Sequence, residues 1–154
     1  MIDPMKRTLL KLIGLGTLAG CASAKAQGRS VSIDTYNYTD RYIADISVDG
    51  AWAGGVDAYG GGGNRAQGLL APKDRNKRVA LKVTWVVGSQ YDVATNQYSR
   101  RPPEPRQASV ELPIPHPSDA DLLVLHFYPD GHVEAELTGK RQNRRIPPPP
   151  GYHR

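Results

Sequence analysis

The sequence predicts an all-β domain: an antiparallel β-sandwich, immunoglobulin-like or similar, with a long Gly-rich loop and an extended Pro-rich C-terminal tail. Three observations predict it. Apolar residues recur with period two, not 3.6, in the separate apolar runs between residues 31 and 139. Turn-forming residues break these runs into lengths typical of short strands. No stretch beyond residue 20 has the apolar stripe of an amphipathic helix.

Each element follows from its own pattern. Val31, Ile33 and Thr35 alternate with Ser32, Asp34 and Tyr36, and Tyr42, Ala44, Ile46 and Val48 alternate with Ile43, Asp45, Ser47 and Asp49. The polar stretch Asn37 to Arg41 reads as a turn, so the two runs are expected to form a hairpin. Gly50 to Pro72, with four glycines at 60–63, has no sustained apolar period and reads as one long loop. Val79, Leu81, Val83, Trp85 and Val87 then share one face of the clearest strand. A polar, proline-bearing interruption from Gly88 to Arg106 leaves room for a short strand near Tyr91 to Val93. Ala108 to Ile114, Leu122 to Tyr128 and His132 to Leu137 complete the set. The last two are joined by Pro129-Asp130-Gly131, where proline presets the first turn position and glycine accepts positive φ. After Gly139, the basic residues Lys140, Arg141, Arg144 and Arg145 precede Pro147 to Pro150. Four consecutive prolines cannot donate to a ladder and favour an extended arm.

The first 20 residues read as a leader. Lys6 and Arg7 precede a short apolar run, Leu9 to Leu18, and Ala19-Gly20 lead into Cys21, the sole cysteine. The run is too short for a permanent span, and small residues before a cysteine form the signal for lipid attachment. Cys21 is therefore expected to carry acyl chains, each buried methylene contributing about 0.8 kcal/mol to bilayer attachment. A soluble exported chain cut after Ala24 or Ala26 is the rival reading. With Ala22 after the cysteine, the outer membrane, facing the periplasm, is the expected location. The expected organisation is a leader over 1–20, a tether over 21–30, a sandwich over 31–139 and a basic Pro-rich tail over 140–154. Loss of the leader lowers the net charge from +5 to +3, too weak a field for a nucleic-acid binder. With no second cysteine the fold must rest on packing alone.

Residue patterns for chemistry are sparse. His116, His126, His132 and His153 lack metal-ligand spacing, so neither a metal nor any other cofactor is expected. His126 and His132 flank a hairpin turn and are read as side chains on its solvated face. The acid pairs Asp34 with Asp45 and Glu134 with Glu136 are read as solubilising strand faces. The glycine run lacks the following helix and Lys-Ser or Lys-Thr pair of a phosphate loop. The chain is therefore expected to bind and not to catalyse. Glycines let a partner approach closely, and Trp52 and Tyr59 beside them are aromatic anchors of the kind that dominate interfaces. Together with Arg65, Tyr91, Arg100 and Arg101 they form the candidate partner-binding set, on the loops 52–65 and 90–106.

The segment Tyr36-Asn37-Tyr38-Thr39-Asp40-Arg41-Tyr42-Ile43, then Ser47-Val48-Asp49-Gly50, the glycine run and His126-Phe127-Tyr128-Pro129-Asp130-Gly131 together resemble a family of small Gram-negative lipoproteins known as a domain of unknown function. The resemblance covers most of residues 30–138. Relatives often carry a cysteine pair where this chain has Asn64-Arg65-Ala66-Gln67-Gly68, so no disulfide or metal role transfers. Such lipoproteins are often encoded beside type VI secretion lipase effectors. The resemblance therefore implies an immunity protein that binds and neutralises a phospholipase from its place on the membrane. The alternative is an envelope adaptor whose basic arm docks on peptidoglycan or an assembly partner.

Overall fold

The computed structural model describes residues 28–61 and 68–153. Among them every regular element is a strand and no helix occurs: β1 (Ser30–Asn37), β2 (Arg41–Val48), β3 (Ala51–Val56), β4 (Leu69–Leu70), β5 (Ala80–Asp92), β6 (Gln97–Ser99), β7 (Glu104–Glu111), β8 (Leu122–Phe127) and β9 (Val133–Thr138). They make two curled sheets. One has the order β4-β1-β8-β9. The other runs β3-β2-β5, with β7 and β6 pairing in turn along the far edge of β5. The sheets meet at both margins, where β1 approaches β3 and β7 approaches β9.

One apolar core fills the space between them. Val31, Ile33, Leu123, Leu125 and Phe127 come from the first sheet and meet Ile43, Ile46, Val48, Leu81, Val83 and Trp85 from the second. Trp85 and Phe127 pack edge to face across the gap, with ring centroids 5.4 Å apart. Removing a ring as deeply buried as Phe127 typically costs about 3–5 kcal/mol, because the cavity collapses only in part.

Four sequence expectations are corrected. First, β1 and β2 are not a hairpin: the turn at 38–40 carries the chain from one sheet to the other, and β1 pairs with β8 in parallel, Ser32 opposite Leu122 through Asn37 opposite Phe127. The ladder set is thus not wholly antiparallel. Second, the inward face of β2 changes phase. Ile43, Ile46 and Val48 are buried while Tyr42 and Asp45 are exposed, because the register with β5 shifts between Ala44 and Ser47 and Asp45 takes a φ of 49°. A bulge of this kind re-aims every side chain after it. Third, the expected long loop contains β3 and the two-residue β4. Glycine masks β3 for a steric reason: a Cβ on Gly55 would stand 2.5 Å from the Tyr42 hydroxyl, and Gly54, at a register shift, has a φ of +84°. Fourth, β5 runs unbroken to Asp92, and the interruption begins only beyond it.

The strands give the molecule two ends. β1, β3, β5 and β8 run toward one end and β2, β7 and β9 run back. The entry end holds Gly28, the Asp49-Gly50 turn and the loops at 71–79 and 112–121. The far end holds the 38–40 turn, residues 57–61, the stretch 93–103 and the 128–132 turn.

Candidate functional site

At the far end the parallel β1–β8 ladder brings together the two segments richest in motif residues. Tyr36 lies opposite His126, and the Tyr38 amide donates to the Phe127 carbonyl at 2.9 Å. The turn is organised by Asn37, which is fully buried. Its Nδ2 donates to the carbonyls of Arg41 (2.7 Å) and Asp57 (3.0 Å), and its Oδ1 accepts from the Thr39 amide (2.9 Å) and hydroxyl (2.8 Å). All four hydrogen-bonding capacities of the amide are used, which pins β1, the turn and the start of the 57–61 segment to one another.

Beside this turn a cleft of about 320 Å³ opens between the sheets. Ile43, Trp85, Val87 and Phe127 give it an apolar floor, and Asp40, Arg41, Glu104, Arg106, Asp130 and His132 stand on its walls. Arg41 donates through Nε to the Gly88 carbonyl at 2.8 Å and reaches Glu104 at 3.4 Å; Arg106 meets the same carboxylate at 2.8 Å. The bond from Arg106, with Arg41 beyond it, holds the Glu104 carboxyl below its ordinary value. Across the opening His132 donates its backbone amide to Asp130 (3.1 Å) and joins it through Nδ1, with its ring stacked on Tyr128 at 4.3 Å. These bonds to Asp130 raise the His132 pKa and lower that of Asp130. An apolar floor with charged walls suits an inserted apolar side chain flanked by polar groups.

Behind the cleft, the outer face of the first sheet carries rings stacked beneath the tail. His126 is fully buried beside Tyr36 (5.6 Å between centroids) and Tyr38 (5.9 Å). A directed chain of bonds crosses it. The Arg145 amide donates to the Tyr38 hydroxyl (2.9 Å), which donates to His126 Nδ1 (2.8 Å), leaving Nε2–H to face Glu136 (3.3 Å). With the imidazole neutral, as its burial favours, the carboxylate of Glu136 places the proton on Nε2. Burial, and after it the Arg145 guanidinium, hold its pKa below the ordinary value. Arg145 also pairs with Glu134 and, at 3.2 Å, with Glu136, and it bonds the Tyr128 hydroxyl at 2.9 Å. The sequence reading of His126 as solvated is corrected. The tail docks along this face, accepting a bond from Tyr36 at the Gln142 carbonyl (2.5 Å), and ends with Tyr152 between Tyr59 and Tyr91, 5.7 Å from each ring.

The predicted binding residues do not form one surface. Tyr59, Tyr91, Arg100 and Arg101 lie at the far end, whereas Trp52 lies one residue past the β2–β3 turn at the entry end, 66% exposed. Arg101 is not among the residues lining the cleft and is linked to its wall through Gln90. It holds Gln90 Oε1 at 2.6 Å, and Gln90 donates to Asp40 at 2.7 Å. Tyr91 is corrected from an interface anchor to a buried one, 3% exposed within the Tyr59, Tyr98 and Tyr152 cluster. Tyr59 is half-buried and Arg100 exposed. Arg65 and Cys21 lie outside the described residues. Sequence reasoning missed Tyr36, Tyr38, Arg41, Glu136 and Arg145 as site-builders. The signal for the tyrosines was present: Tyr36 with Tyr38, and His126 with Tyr128, sit two residues apart on one face of adjoining strands. Among the described residues no group of three or more His, Cys, Asp or Glu is arranged to hold a metal ion.

The molecule is an all-β domain of two curled sheets, with an end cleft and a C-terminal strap over a tyrosine-histidine face. Residues 36–135 match the family described as a protein of unknown function (DUF3304), and the chain belongs to that family. The matched span begins at Tyr36 and takes in all of the motif segments and the cleft. No curated protein and no solved structure matches it.

Proposed function

We propose that this protein is a lipid-anchored binding module on the periplasmic side of the outer membrane, an immunity protein whose far-end cleft receives part of a type VI secretion phospholipase and blocks it. The two curled sheets are read as a β-sandwich that serves as a rigid support. The observation that carries the reading is the division of ends: the described chain begins with Gly28 at one end, and the Tyr36–Ile43 and His126–Gly131 segments meet beside the cleft at the other. An anchor at Cys21 would hold the cleft outward, and tethering beside the threatened lipid raises the effective concentration of inhibitor without any added contact. The cleft walls are built from charges held by their neighbours, so little side-chain freedom is lost on binding.

The adaptor reading asks the basic tail to reach another partner. Its Arg144 already donates to the Tyr59 carbonyl at 2.7 Å, and Arg145 is held by Glu134 and Glu136, which favours the immunity reading. The test is capture of a lipase from envelope extracts of cells that carry one, with phospholipase activity assayed with and without the protein. Capture together with loss of activity is the expected result. Recovery of no lipase, or deletion strains no more sensitive to it than the parent, would remove the proposal.

A further inference from the structure

We propose that the entry end is a membrane-facing surface that rests on anionic lipid headgroups. This rests on the lipid-anchor reading of Cys21 and deepens it. Three exposed apolar side chains lie at this end, on three different elements: Trp52 (66% exposed), Leu70 (41%) and Ile114 (44%). Beside them the loop Lys73-Asp74-Arg75-Asn76-Lys77-Arg78 carries four basic residues against one acid, all six exposed, and Arg29 is exposed next to Gly28. Tryptophan with basic side chains is the pairing that settles at a bilayer interface, the ring at headgroup depth and the cations on anionic phosphate.

The loop is held rigidly. His116, 1% exposed, takes a bond between Nε2 and the Lys77 carbonyl (2.7 Å), donates its amide to the Arg75 carbonyl (2.7 Å) and accepts at its own carbonyl from Arg75 Nε (2.7 Å). This clamp fastens the basic loop to the segment carrying Ile114, so charge and apolar contact are presented together. The end also bears Asp49, Glu111, Asp119 and Asp121. Asp49 is turned back onto the Lys82 amide, its carboxylate accepting at 2.8 Å. The bilayer is favoured over a protein occupant by where the chain continues. The described chain begins here at Gly28, and eight residues lie between Cys21 and the start of β1 at Ser30, so an acylated Cys21 keeps this end within about 30 Å of the headgroups.

The test uses the full acylated chain on vesicles of phosphatidylcholine alone and of phosphatidylcholine with phosphatidylglycerol. Trp52 fluorescence is read against aqueous iodide and brominated lipid. Trp85, 6% exposed in the core, is the internal reference, and Trp52→Phe identifies its contribution. On phosphatidylglycerol vesicles iodide quenching of Trp52 should fall several-fold and bromolipid quenching should appear; Lys73→Gln/Lys77→Gln/Arg78→Gln should reverse both. Flotation of the same samples reads the anchor separately. A chain that floats while Trp52 stays as open to iodide as in buffer overturns this surface and leaves the anchor standing. A chain that neither floats nor shields Trp52 overturns both. Shielding equal on both vesicle types, or arising only when envelope proteins are added, overturns the anionic-lipid assignment.

Discussion

His126 shows how much one side chain's meaning depends on what covers it. On a strand adjoining a hairpin turn it reads as solvent-facing, but the tail buries it and Tyr38 and Glu136 take its two nitrogens. A buried imidazole held neutral has a definite pH signature. Its folded pKa is lowered, so below about pH 6.5 the unfolded chain takes up a proton that the folded chain refuses. Stability should therefore fall as pH drops through that value and keep falling until the folded pKa is passed. His132 acts in the opposite sense: its pKa is raised, so its contribution is present in acid and is lost as pH rises through the folded value. It is exposed and screened, so the His126 effect should dominate. Thermal melting between about pH 7 and about pH 5 is expected to show a falling Tm for the native chain. His126→Gln should start less stable and show a shallower fall. Identical slopes in the two proteins would show that His126 is not the group responsible.

At the scale of elements, the strands with clean alternation were legible in the sequence and, apart from the β8–β9 hairpin, the pairings were not. Leu81, Val83 and Trp85 on β5 point into the core as their period requires, and the Pro129-Asp130-Gly131 hairpin joins β8 to β9 as expected. Periodicity states which residues share a face; it carries no information on which strand lies alongside. A three-residue turn with polar side chains is equally good chemistry for a hairpin and for the crossing between sheets that Asn37 organises. The strap was hidden for a similar reason. Arg144 and Arg145 look like solvated charges until Tyr38, from the 38–40 turn, and Glu134 and Glu136, from β9, are seen to converge on the tail. Truncation after Gly139 removes the Arg145 pairs, the bond to Tyr36 and the Tyr152 ring packing at once. Because Arg145 is itself partly exposed its ion pairs are discounted, and a loss of about 1–3 kcal/mol is expected, most of it from hydrogen-bonding groups and rings left uncovered. Urea unfolding of the truncated and full chains measures it, and equal midpoints would mean that the strap contributes nothing to the fold.

At the scale of the whole molecule, candidate residues that seemed to form one surface in the sequence belong to two ends, to which the two proposals assign separate work. Trp52 and Tyr59 are seven positions apart in the chain, yet β3 carries them from the entry end to the far end. The sequence could group them only by nearness along the chain, because the strand between them was hidden by its glycines. The division makes a double dissociation. Charge reversal on the cleft side, Arg101→Glu with Arg106→Glu, changes exposed groups and should leave the core and the melting temperature near the native values. It should weaken lipase capture by tenfold or more, an energy of about 1.4 kcal/mol, while leaving Trp52 shielding on anionic vesicles unchanged. The basic-loop variant at 73, 77 and 78 should do the reverse, losing the shielding and keeping capture in detergent solution. Binding isotherms and fluorescence quenching on both variants separate the cases. If either variant lost both properties while remaining folded, the two ends would not be independent, and a single continuous interface would have to replace them.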